Sequence, residues 1–290
     1  MAEFSADWLS LREPADCAAR ARPLTDQVIA RLPARRPVRV LDLATGTGSN
    51  LRFLAPYLPS TQEWRMVDRD TALLAELPQR VGAWAIARGL IVSGRDGAFT
   101  VRGPDLACRV ETRSADLSRL GDVSLFDGMD LVTGSALLDL VSERWLHALA
   151  ERSRHTGAVV LFALTYDGRL ACSPEDPDDE RVRVLVNRHQ QTTKGFGRAL
   201  GPEATACAVR CFDAVGYTTR TEPSDWRLGV TQGELQRQLI EGWAGAAGEM
   251  DATEQGRVVL WKARRLAHID SGVSELTVGH LDLAAWPTTR

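Results

Sequence analysis

Apolar positions along this chain switch repeatedly between strand spacing and helix spacing. Pro37 opens "PVRVLDLA", where Val38, Val40, Leu41 and Leu43 make a short buried strand. "GSNLRFLAPYL" then puts Leu51, Leu54, Ala55 and Leu58 on one helical face. "EWRMVDRD" is a second strand, and "TALLAELPQRVGAWAIARG" a second helix with a break expected near Pro78. "RVETRSADLS" holds a third strand and "MDLVTGSALL" a fourth. "SERWLHALAERSR" is an amphipathic helix, and "GAVVLFALTY" a fifth, almost wholly apolar strand. Upstream, residues 16–32 read as one opening helix. Strands alternating with helices imply a parallel sheet covered on both faces.

Two insertions interrupt the rhythm. Residues 93–106 are Gly-rich and alternate, which predicts a hairpin. Residues 166–201 are acidic, contain Pro and show few core positions, which predicts a lid. A helix at "PEATACAVRCFDAVG", a strand starting at Tyr217 and helices near 231–250 and 252–269 follow. "ELTVGHLDLAAWP" is a last strand, expected antiparallel at or near a sheet edge. The expected fold is one α/β domain, a doubly wound, mostly parallel seven-stranded sheet with an inserted lid and extra C-terminal helices. Its parts are a helical flap (1–36), a cofactor-binding core (37–165), the lid (166–201) and the C-terminal half (202–290).

Composition narrows the class. Of 290 residues, 44% are hydrophobic and 25% charged, ordinary for a globular core. The net charge of -3 gives no reason to expect a nucleic-acid partner. The basic run Arg31, Arg35, Arg36 and Arg39 reads as solvated surface. No apolar run approaches the roughly 18 residues of a membrane span, and the N-terminus lacks a signal-peptide core. Five scattered cysteines with no CxxC pair predict neither a metal site nor a disulfide framework, and fit a cytoplasmic setting. Cys207 and Cys211, four apart, read as buried core thiols.

The chemistry concentrates in "VLDLATGTGSN". Gly46 and Gly48 lie between a strand and a helix, at the carboxyl edge where open α/β sheets bind ligands. Asp68, ending the second strand, can accept from both hydroxyls of a ribose. Three details disfavour a dinucleotide. Leu51 stands where the dinucleotide fingerprint wants a third small residue. Asp42 would repel a pyrophosphate. Asp116 offers an acceptor to the amine of adenine. A phosphate-free adenosine ligand with a cationic centre fits better.

In these residues the chain resembles the class I S-adenosylmethionine-dependent methyltransferases, over roughly residues 37–165 and again at the last strand. "VLDLATGTGSN" is similar to the family's D-x-[GA]-x-G-x-G loop, with Ala44 in a slot usually held by Gly. The resemblance implies S-adenosyl-L-methionine as cofactor, with S-adenosyl-L-homocysteine as its product. It places Asp42, Ala44, Thr45, Gly46, Gly48 and Asn50 at the methionine end. Asp68 and Arg69 fall at the ribose, Ala115, Asp116 and Leu117 at adenine, and Thr133 and Gly134 beside the methionine moiety. The fourth strand is followed by no Asn-Pro-Pro-Tyr or Asp-Pro-Pro-Tyr, and no cysteine lies where cytosine-methylating enzymes place theirs. A small-molecule acceptor is therefore expected, on a monomer or homodimer without membrane contact.

Methyl transfer needs alignment, and a base only for some acceptors. His189, in the polar cluster "NRHQQTTKGFG", Asp139, an acid inside an apolar run, and Tyr166, ending the fifth strand, are the candidate catalytic residues. The competing expectation for His189 is an exposed helix-face histidine; for Asp139 it is a cap or ion-pair partner. Trp8 and Arg12 in a terminal flap, with Gln190, Lys194 and Phe196 in the lid, are the candidate acceptor-binding residues. The alternatives are an NAD(P)-dependent oxidoreductase, an RNA or protein methyltransferase, and a non-catalytic binding partner with this fold.

Overall fold

The computed structural model describes residues 5–34, 36–95, 97–118 and 120–288. Arg35 of the basic run lies outside them. The apolar run Val38–Leu43 (β1) pairs in parallel with β2 (Thr61–Asp68) on one side and β6 (Leu131–Ser135) on the other. β2 continues in parallel to β5 (Ala107–Ser114), and β6 to β7 (Val159–Ser173). The expected hairpin forms as β3 (Ile91–Arg95) and β4 (Ala98–Arg102), which extend the β5 edge antiparallel. On the far side β12 (Glu275–Pro287) inserts antiparallel between β7 and β10 (Tyr217–Pro223). The order β10-β12-β7-β6-β1-β2-β5-β4-β3, with the short β11 (Trp226–Leu228) on β12, makes ten strands. Seven are the expected frame; the hairpin and β11 are additions. Strand order reverses between β1 and β6, which opens a crevice at their carboxyl ends.

Alternation along β1 explains why two layers of helix are needed. Val38 and Val40 face α2 (Arg22–Ile29), α3 (Ser49–Leu54) and α4 (Thr71–Ile86), through Leu24, Val28, Leu51, Leu77 and Val81. Leu41 and Leu43 face α5 (Glu143–Thr156) and α7 (Ala204–Ala214), through Leu146, Leu149, Cys207, Cys211 and Phe212. A third core joins α1 (Ala6–Ala19), α6 (Asp179–Gln190), α8 (Gly233–Met250) and α9 (Gln255–Asp270) around Trp226, Leu185 and Trp261. Among the described residues no helix is long and apolar enough to cross a membrane.

Three elements differ from expectation. The opening helix is two helices, α1 and α2, broken at Arg20 and Ala21; Pro23 sits in the first turn of α2, where its missing N–H costs nothing. α4 runs unbroken through Pro78, because Leu73, Leu74, Leu77, Val81 and Ala85 bury one continuous face. Segment 166–201 is also more ordered than a loop. β7 continues to Ser173, α6 buries Val182, Leu185 and Val186, and only a two-residue ribbon, β8 (Thr193–Lys194) with β9 (Gly197–Arg198), remains of the turn-rich part. The acidic stretch that mimics a solvated loop is matched by arginines of α9. Asp176 and Asp178 pair with Arg264, and Asp179 with Arg265, whose side chain is fully buried.

Arg265 also donates to the carbonyl of Pro174, so it fastens both ends of the turn between β7 and α6. Removing one partner of a buried pair strands the other charge. Arg265→Met is expected to lower unfolding free energy by about 3 kcal/mol, read from the denaturant midpoint. A loss below about 0.5 kcal/mol would show that the acidic turn docks by apolar contact alone.

Candidate functional site

The turn after β1 curls because Ala44, Gly46 and Gly48 all take positive φ, at 54°, 54° and 84°. Ala44 thus holds a backbone conformation usually left to glycine. At Gly48 a Cβ would come within 3.2 Å of Leu77 Cγ, so glycine also lets α3 and α4 close together.

Asp42 lies at the centre, fully buried. Its Oδ2 accepts from Thr45 Oγ1 at 2.6 Å and its Oδ1 from Asn50 Nδ2 at 2.7 Å. The same Asn50 Nδ2 donates to Thr133 Oγ1 at 3.1 Å, and Thr133 donates to the carbonyl of Leu161 at 2.6 Å. One hydrogen-bonded chain therefore ties β1, the glycine turn, α3, β6 and β7. Burial pushes the Asp42 carboxyl up to about 6, although Thr45, Asn50 and the charge of Arg20 favour its ionised form. Asp68 joins from β2: its Oδ2 accepts the N–H of Gly46 at 2.8 Å and its Oδ1 that of Asp70 at 3.0 Å. The N–H of Ala115 bonds the carbonyl of Asp68 at 3.0 Å, which brings the end of β5 alongside. Asp116 is exposed, and its oxygens accept from Ser118 N and Oγ at 2.8 and 2.9 Å. Leu117 is buried and accepts the indole N–H of Trp145; Arg69 is exposed. Gly134 has a packing reason for its identity: a Cβ there would lie 3.0 Å from the Leu43 carbonyl and 2.9 Å from the Phe162 ring.

α1 lies across this turn. Leu9 Cδ1 sits 3.0 Å from where a Gly46 Cβ would be. Glu13 forks onto Arg52 at 2.7 and 2.5 Å, and Arg52 donates to the carbonyl of Thr47 at 2.6 Å. Arg20 Nη1 donates to Asn50 Oδ1 at 2.9 Å. Trp8 is partly buried against the third core, and its backbone N–H donates to Ser5 Oγ, which caps α1. Arg12 forks onto Asp16 at 2.9 and 3.1 Å and lies over the Trp226 ring, 5.0 Å from its centroid.

On the other side of the crevice, Asp139 is buried in the short turn Leu138–Leu140 that follows β6. Burial raises its carboxyl to about 6, opposed by backbone N–H groups, Tyr166's among them, and by the charges of Arg12 and Lys194. The Tyr166 hydroxyl donates to Asn187 Oδ1 at 2.7 Å, and its ring meets that of His280 edge-on at 6.3 Å. His280 is buried against Trp226 as well, and burial with the Arg12 charge drives it down to about 3, so it is neutral. Asp139 thus accepts from the backbone of Tyr166 and feels the charges of Arg12 and Lys194. His189 is not with them. It points to α8, with Nε2 3.1 Å from Glu249 Oε2, because α6 turns its buried face of Val182, Leu185 and Val186 inward and His189 toward the α8 seam. Gln190 packs on the Gly201 turn, and Phe196 sits edge-on to Trp145 at 5.9 Å.

Sequence reading missed Arg20, Glu13, Arg52, His280 and Asp282. Two signals were present. Arg12, Asp16 and Arg20 repeat every four residues on one helix face, which imitates a surface ion-pair ladder. His280 and Asp282 interrupt an apolar strand at alternate positions, and so share a face.

The sign of the Asp139 shift gives a test. Its folded pKa is above the unfolded 3.8, so the stability it contributes is present below about pH 4 and lost as pH rises through about 6. Asp139→Asn is expected to stabilise the protein by about 1–3 kcal/mol at pH 7 and by nothing at pH 4, in urea unfolding at both values. A variant less stable at pH 7 would mean that the carboxylate is held by partners, not penalised by burial.

No known family's sequence profile matches the chain. No curated protein matches it. Solved structures do. A protein of Bacillus halodurans C-125 assigned as a methyltransferase aligns over 94% of this chain and 100% of its own, at 12% identity and a TM-score of 0.50. The YcgJ protein of Bacillus subtilis aligns over 93% and 100%, at 13% identity and a TM-score of 0.48. A SAM-dependent methyltransferase of Thiobacillus denitrificans, solved with S-adenosyl-L-homocysteine, aligns over 99% and 100%, at 11% identity and a TM-score of 0.45. At such identities the likeness is one of fold. With its strand order, its antiparallel β12 and its glycine turn at the β1–β6 crevice, the chain has the fold of the class I S-adenosylmethionine-dependent methyltransferases.

Proposed function

We propose that the protein transfers a methyl group from S-adenosylmethionine to a small organic acceptor. The observation that carries this is the bond from the Gly46 N–H to the Asp68 carboxylate. A dinucleotide site would turn that N–H toward a pyrophosphate. Here it is spent on an acid, with a second buried acid, Asp42, beside it. Two carboxylates at the turn repel phosphate and suit a cation. The residues present fit an adenosyl sulfonium: Asp68 has lone pairs left for ribose hydroxyls, Ala115 and Leu117 lie alongside at the end of β5, and Asp42 supplies the counter-charge.

S-adenosylmethionine, when bound, supplies a methyl group already activated by its positive sulfur. What remains for the protein is alignment and exclusion of water. α1 covers the turn from above through Leu9 and the Glu13–Arg52 fork. Asp139 is the group suited to take a proton from an acceptor hydroxyl, carbon acid or ammonium, since a buried carboxyl near 6 is poised for exchange at neutral pH. Tyr166, tied to Asn187, and neutral His280 form the adjoining wall. Arg12 and Lys194 hold the charge balance around Asp139. The covered turn and the net charge of -3 favour a small acceptor over a nucleic acid. His189 has no part in this reading.

Calorimetric titration tests it. S-adenosyl-L-homocysteine is expected to bind and NAD(P) not to; Asp68→Ala is expected to weaken binding by about tenfold or more, the value of one or two lost hydrogen bonds to a charged group. Affinity is also expected to fall as pH drops below about 6, because protonating Asp42 removes the anion that faces the cationic end. Binding of NAD(P) in place of the thioether would favour the oxidoreductase reading. Binding of neither would favour a protein that keeps the fold without the chemistry.

A further inference from the structure

Arg20 is a buried guanidinium with two donor atoms unpartnered. Its side chain is 3% exposed. Nη1 is used on Asn50, but Nε and Nη2 have no hydrogen-bond partner. Its face stacks on Phe53, 4.4 Å from the ring centroid. The anion paired with it, Asp282, has its Oδ2 3.7 Å from Nε, too far for a hydrogen bond, and the Asp282 oxygens already accept the N–H groups of Ala21 and Leu164. A buried guanidinium with unspent donors is costly, and sites keep such donors where a ligand completes them. This one touches the same Asn50 that holds Asp42.

We infer that Arg20 receives the α-carboxylate of the methionyl end of S-adenosylmethionine, a step that rests on the cofactor reading above. The planar fork of a guanidinium matches a carboxylate. The surrounding charges choose among anions. Asp16, Asp42 and Asp282 face Arg20, and Arg12 is the second cation of the group. Acids outnumber guanidiniums there, so a phosphate dianion is repelled. A zwitterionic amino-acid end is not: its carboxylate meets Arg20 while its ammonium meets the neighbouring acids. Arg20 is thus a binding and positioning residue, with the methionyl end held from above by the α1–α2 junction as well as from below by the glycine turn.

The test compares two ligands on wild type, Arg20→Met and Arg20→Lys by calorimetry. One ligand is S-adenosyl-L-homocysteine; the other is its decarboxylated analogue, which keeps nucleoside, thioether and amine. Wild type is expected to prefer the carboxylate-bearing ligand by about 10- to 100-fold, the worth of charge-assisted hydrogen bonds. Arg20→Met is expected to abolish the preference and leave the decarboxylated ligand's affinity within about threefold. Arg20→Lys keeps the charge facing the acids, and so the fold, and is expected to retain only part of the preference. Equal weakening of both ligands in the lysine variant, or an unchanged preference in either variant, overturns the assignment to Arg20 while the cofactor reading stands. Failure of wild type to bind either ligand overturns both.

Discussion

A carboxylate that is completely out of water must be satisfied from within, and Asp42 is one. Its two oxygens take Thr45 and Asn50, Asn50 takes Thr133, and Thr133 takes the backbone of β7. These bonds fix the shape of the glycine turn and the spacing of β1 from β6 at the place where strand order reverses. The bonds leave the carboxylate ionisable but uncomfortable, near 6. A cationic ligand relieves that discomfort where water cannot. The second carboxylate, Asp68, closes the turn from the other side by taking the Gly46 N–H. Two carboxylates thus stand at the turn, and their charge disfavours a phosphate there.

The fold was legible because its core strands are buried on both faces. Runs such as "VRVLDL" and "AVVLFAL" can be little else in a chain that alternates them with amphipathic helices. The Gly-rich hairpin and the antiparallel last strand were legible for similar reasons of pattern and order. The internal order of segment 166–201 was not legible because acidic residues and Pro signal solvent in one dimension. In three dimensions Asp176, Asp178 and Asp179 meet Arg264 and Arg265 from a helix 86 to 88 residues later in the chain. No local pattern shows that partnership.

The geometry of the candidate site was legible where its contacts are local. Asp42, Thr45, Gly46, Asn50 and Asp68 interlock as a loop motif should, and Asp139 stood out as an acid in an apolar run. Asp116 is exposed and accepts from Ser118 N and Oγ. His189 has polar neighbours in sequence, but on α6 its imidazole meets Glu249 of α8. Arg20 and His280 each sit in a local pattern, a four-residue charge repeat and a polar break in an apolar strand, that reads equally well as surface. What distinguishes them is burial, and burial is decided by α1 folding over the turn and β12 slotting between β7 and β10.

The central claim is that one phosphate-free adenosyl ligand sits across the carboxyl ends of β1 and β2 with its charged end at Asp42. A crystal structure with S-adenosyl-L-homocysteine is the most direct measurement. It is expected to show the ribose on Asp68, the amino-acid end between Asp42 and Arg20, and the sulfur facing the Asp139–Tyr166 wall. Density for the thioether anywhere else, or a diphosphate seated against the glycine turn in crystals soaked with NAD(P), would contradict the account.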